Sequence, residues 1–182
     1  MSSLFRWPLG RRDPATPSPA TIEAIYGAIV AQARLPVFYE VFGVPDTVEG
    51  RFDMVLLHLW MVLHRLRQRP DGERTAQMLF DHFCSDMDAN LREMGVGDLA
   101  VPKRMRAFGE AFYGRARAYD AALAESGAAL AAALARNVCG DPAALHGERL
   151  AGYVGEALAS LEAVEDAALC ERAALPFPEP AR

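Results

Sequence analysis

The sequence predicts an all-α fold, a single compact domain of about six to seven helices. Three observations carry that expectation. From Ala20 onward apolar residues recur at helical spacing and no convincing strand alternation appears. Prolines and several glycines punctuate the periodic stretches, at Pro36, Gly43, Pro70, Gly95 and Pro102. The chain has 182 residues, 52% hydrophobic and 24% charged, which suits one domain with a sizeable core.

Residues 1–19 hold Pro8, Pro14, Pro17 and Pro19 among Ser, Thr and Arg and read as a flexible tail. Thr21 to Gln32 is a first helix with Ile22, Ile25, Tyr26 and Ile29 on one face. Pro36 opens a short helix through Phe42, which Gly43 stops. GVPDT is a turn, and Asp46 or Thr47 caps the helix that runs to about Arg67, with Glu49 at capping distance from Asp46. RPDG breaks the chain. A helix from about Glu73 to Met94 follows, with Leu79, Phe80, Phe83, Met87, Leu91 and Met94 on its apolar face and Gly95 at its end. Pro102 suits the first turn of a helix reaching about Leu123, with Met105, Phe108, Phe112, Tyr119 and Leu123 on one face. Alanine-rich Ala128 to Val138 and an amphipathic stretch from His146 to Ala173 complete a helical domain of residues 20–175. Residues 176–182 are expected as a frayed end.

Composition narrows the function. A net charge of −5 argues against a nucleic-acid binder, which would show a basic excess. Cys84, Cys139 and Cys170 form neither a CxxC pair nor a disulfide framework, which suits a reducing compartment. No stretch reads as a secretory signal or reaches the ~20 apolar residues needed to span a bilayer. There is no GxSxG, HExxH, P-loop or GxGxxG. Without a nucleophile, a metal cage or a phosphate loop, the chain is expected to bind rather than to transform, with no metal and no organic cofactor.

Candidate residues come from the dense middle of the chain. Asp81, Asp88 and Arg92 lie with Ser85 on one polar helix face, flanked by Asp86. Paired carboxylates can hold a metal or do acid–base work, but the Glu-x-x-His pairs of a di-iron bundle are absent, and the plainer alternative is a solvated face with an Asp88–Arg92 pair. His58 aligns with Arg51 and Arg65 as a thin polar seam on an apolar helix, a core position rather than a ligand. Lys103, Arg106 and Arg117 face away from the aromatics of their helix, toward solvent or an anionic surface.

Three segments, GVPDTVEGRFDMVLLH, LFDHFCSDMDANLREMGVGDLAV and AFYGRARAYDAAL, closely resemble the ubiquinol–cytochrome c chaperone family. The resemblance covers Leu35 to Leu123 and points to a bacterial member. It implies an assembly chaperone rather than an enzyme, one that holds newly made cytochrome b until it joins ubiquinol–cytochrome c reductase. It also implies a small partner subunit or a ribosome contact, and a place at the inner face of the cytoplasmic membrane or the mitochondrial matrix side, with peripheral membrane contact. An apolar client needs an adaptable apolar groove. Trp60 and Met61 have side chains of the right kind, but the groove is expected near Leu35–Phe42 and Met105–Tyr113. Phe38, Tyr39, Phe42, Phe108, Phe112 and Tyr113 line it, beside Gly43 and Gly109, where another chain can approach. Asp81, Asp86, Asp88 and Arg92 are expected as further contacts, and Lys103, Arg106 and Arg117 as the face toward anionic headgroups. Competing readings are a helical enzyme or ligand-binding protein taking a metal or an isoprenoid, and a scaffold with no client groove.

Overall fold

The structure, a computed structural model, describes residues 16–70, 72–140, 144–165, 168–169, 173 and 175–181. The expected tail therefore lies outside the described residues except for its last four. Among the described residues there is no strand. The elements are α1 (Pro19–Ala33), α2 (Val37–Glu40), α3 (Val48–Arg67), α4 (Gly72–Glu93), α5 (Val101–Glu125), α6 (Gly127–Leu134), a π-helical turn (Ala135–Cys139) and α7 (Ala144–Ala163). The all-α single domain expected from periodicity is what folds.

Local chemistry explains the boundaries. Ser18 caps α1 by accepting the Thr21 N–H at 3.1 Å. Thr47, rather than Asp46, caps α3 by accepting the Gly50 N–H at 3.1 Å, which leaves Asp46 to pair with Arg51 at 2.7 Å. Gly95 closes α4 at φ +79°, where Val96 N–H returns to the Leu91 carbonyl at 3.0 Å. α7 stops at Ala163, ten residues before the expected end. There the Arg65 guanidinium donates to the carbonyls of Leu161 (3.0 Å) and Val164 (3.3 Å), a cation satisfying the orphan acceptors of a helix end.

α3 is the axis of the molecule. Met54 to Leu63 are buried without interruption, and α1, α4 and α7 pack around them. A helix apolar on every side belongs in the interior. Its one buried ionisable group is His58, 0% exposed. His58 Nδ1–H donates to the Met54 carbonyl and Nε2 accepts from the Tyr153 hydroxyl, both at 2.8 Å. Tyr153 in turn accepts from Gln32 Nε2, which also donates to the Pro178 carbonyl, both at 3.1 Å. This network joins α1, α3, α7 and the 175–181 segment. In that segment, expected as a frayed end, Phe177 lies edge-on to His58 at 5.2 Å and Pro180 is buried.

A candidate client-binding face

The aromatic residues fall into two main clusters. In the first, Phe38 and Phe42 meet each other at 5.4 Å and pack on Tyr153 at 4.9 and 6.2 Å, with His58 against Phe38. Both phenylalanines are buried. α7 covers them: Arg149 donates to the Val41 carbonyl at 2.9 Å and its guanidinium sits over the Phe42 ring. Phe38 and Phe42 are therefore core, and the structure corrects their expected place in an open groove. Tyr39 is half-buried and donates its hydroxyl to the Ala33 carbonyl at 2.7 Å. Gly43, at φ +70°, does let a ring approach closely, but the ring is His146 of the same chain.

The second cluster spans α3, α4 and α5. Phe52 packs on Phe108 at 5.0 Å and on Phe83 at 6.3 Å. Phe80 packs on Phe112 at 5.1 Å and on Tyr113 at 5.4 Å. Phe83 and Phe112 are buried, so Phe112 too moves from groove to core. Phe52, Phe80 and Phe108 remain half-buried, and Tyr113 is 49% exposed. No ring contact joins the two clusters among the described residues. A hollow of about 480 Å³ lies beside Phe80 and Tyr113, rimmed by Arg67, Arg69, Glu73 and Gln77. Phe52 and Phe80 were not singled out as contacts in the sequence. Both sit on apolar helix faces, and periodicity alone assigns such positions to the core.

The polar face of α4 divides in the same way. Asp86 accepts the Tyr26 hydroxyl at 2.8 Å and ties α4 to α1. Burial, then Asp86, hold the Tyr26 phenol well above its ordinary pKa. Asp86 is thus a tertiary contact as well as a surface group. Asp81 is exposed and accepts from Gln77 of its own helix at 2.7 Å. Asp88 pairs with Arg92 at 2.6 Å, and Arg92 also reaches Asp98 across the following turn. Lys103, Arg106 and Arg117 are exposed, as expected. Arg115 is not: it pairs with Asp53 of α3 at 2.8 Å. Burial pushes the Asp53 carboxyl up to about 6 despite that arginine. No group of three His, Cys, Asp or Glu side chains gathers among the described residues, and none of their helices is long and apolar enough to cross a membrane.

The chain is similar to known proteins in sequence and in fold. Residues 40–175 match the family model described as Ubiquinol-cytochrome C chaperone. That match extends past Leu123 through α7. The chain is 29% identical over 146 residues to the ubiquinol-cytochrome-c reductase complex assembly factor 1 of Xenopus laevis, covering 78% of this chain and 72% of the frog protein. It is 30% identical over 145 residues to the human protein of that name, covering 77% of this chain and 48% of the human one. The chain thus spans about half the length of the human relative. A crystal structure of the Cbp3 homolog from Brucella abortus superposes with a TM-score of 0.74 at 44% identity, covering 83% of this chain and 85% of that one.

Proposed function

Because the chain belongs to the ubiquinol–cytochrome c chaperone family, we propose that it is an assembly factor for ubiquinol–cytochrome c reductase that holds newly made cytochrome b. The contact face in this reading is the α3–α5 aromatic cluster. The observation that carries it is the partial exposure of Phe52, Phe80, Phe108 and Tyr113 side by side, where most of the other described aromatics are buried. Phe52, Phe80 and Tyr113 rest on a buried Phe83–Phe112 layer and Phe108 packs on Phe52, so the rings are held in place before any client arrives.

The magnitudes suit a chaperone. If the three phenylalanines each lose roughly 40 Å² and Tyr113 roughly 80 Å² of apolar surface on contact, the four contribute about 5 kcal/mol. Association costs ~4–15 kcal/mol in lost freedom. The apolar contact therefore offsets that cost without a large surplus, and the client is held transiently and released to the enzyme. The hollow beside Tyr113, with charged and amide side chains on its rim, can meet a polar segment of the client next to its apolar helices.

The test is a deletion of the gene, with haem-loaded cytochrome b and assembled reductase measured in membranes. Both are expected to fall severalfold and to return when the gene is restored. Normal levels of both in the deletion strain would refute the assignment.

A further inference from the structure

We propose that the turn between α4 and α5 is an anchor for an anionic lipid surface. Met94 and Leu99 enter the boundary between headgroups and acyl chains, and Lys103, Arg104 and Arg106 meet headgroup phosphates. Leu99 is 98% exposed and Met94 72%, two large apolar side chains within one short connection. The turn that presents them is well formed. Gly95 N–H donates to the Arg92 carbonyl at 2.9 Å and Ala100 N–H to the Gly97 carbonyl at 2.8 Å. Arg92 spans it by pairing with both Asp88 and Asp98. A preordered protrusion loses little conformational freedom on docking.

Charge decides what it docks on. Lys103, Arg104 and Arg106 are exposed and make no ion pair among the described residues. The first turn of α5 has no acidic residue to offset them. Asp98 is engaged by Arg92, which leaves Glu93 and Glu110, the latter one turn beyond Arg106, as the nearby exposed carboxylates against three cations. The chain as a whole carries −5, so an anionic surface repels it elsewhere and favours this end. Two side chains expose roughly 300 Å² of apolar surface, well short of the ~800 Å² per partner of a stable protein interface. A bilayer needs only shallow insertion beside cations. No described helix crosses a membrane, so contact there is peripheral. Arg117 lies fourteen residues beyond Lys103, about 21 Å along the helix, and outside a ~10 Å screening length. It is therefore not part of the anchor. The proposal does not depend on the identity of the client, because lipid alone tests it.

The experiment sediments the full chain with vesicles of phosphatidylcholine, with and without one-third phosphatidylglycerol. Binding is expected only to the anionic vesicles and to weaken with salt. Leu99→Asp is expected to weaken it about tenfold, and Lys103→Gln or Arg106→Gln about fivefold each. Arg117→Gln should leave it unchanged, and all four variants should melt with the wild type. No binding to anionic vesicles, equal binding to both compositions, or wild-type binding by Leu99→Asp would each overturn the proposal. So would a change of oligomeric state in Leu99→Asp, which would assign the turn to a protein partner.

Discussion

Replacing His58 with leucine is expected to destabilise the protein by about 3 kcal/mol at neutral pH and to make its stability rise on acidification, where the wild type changes little. The first effect follows from the buried network. Leucine removes the acceptor of the enclosed Tyr153 hydroxyl proton, and the Met54 carbonyl, which keeps its helical backbone bond within α3, loses its second donor. An unsatisfied buried group costs ~1–3 kcal/mol.

The second effect follows from proton linkage. Burial depresses the His58 pKa to about 4, against 6.5 when unfolded. The unfolded chain therefore binds the extra proton between those values. The stability that neutral His58 contributes is full above pH 6.5 and is lost as pH falls toward 4, about 3 kcal/mol in all. Asp53 acts in the opposite sense. Its folded pKa of about 6 lies above the unfolded value of 3.8, so its contribution is full at low pH and is lost as pH rises through 6. The two oppose each other between pH 4 and 6, and the wild type is expected to change little there. His58→Leu should gain stability on acidification relative to wild type, and Asp53→Asn should lose it more steeply. Melting temperatures across that range check both signs, and parallel curves for all three proteins would contradict the account.

Gly50→Ala is expected to cost about 3 kcal/mol or more. Gly50 stands at the third position of α3, and a Cβ there overlaps the backbone carbonyl oxygen of Pro45. A backbone atom cannot swing away as a flexible side chain would. The 43–47 turn would have to lift from α3, disturbing the Thr47 cap and the seat of Gly43 under His146. Gly27 supplies the control. Nothing lies within 4 Å of a Cβ at that helical position, so Gly27→Ala should raise stability by about 0.5–1 kcal/mol. Denaturant midpoints of the two variants should move in opposite directions.

The helices were legible in the sequence because their stops are local. Pro36, Gly43, Gly95 and Pro102 act through their own backbones and need no partner. The exposure of each aromatic was not legible, because it depends on residues far along the chain. Phe38 and Phe108 both stand in aromatic-rich segments near a glycine. One is sealed by Tyr153 and the other is left half open, and nothing near either residue signals the difference. Asp86 and Asp88 are two residues apart on one helix, yet only Asp86 meets Tyr26, sixty positions earlier. The early end of α7 likewise depends on Arg65 of α3. The family motifs quoted from the sequence fall in α3, α4 and α5, the three helices that carry the half-open aromatic face.

Photo-crosslinking in living cells tests the central claim most directly. Crosslinkers placed singly at Phe52, Phe80, Phe108 and Tyr113 are expected to capture cytochrome b during its synthesis, and one at the exposed Arg117 is not. Capture confined to the Ala128–Val138 region, or no capture of cytochrome b from any of the four aromatic positions, would contradict it.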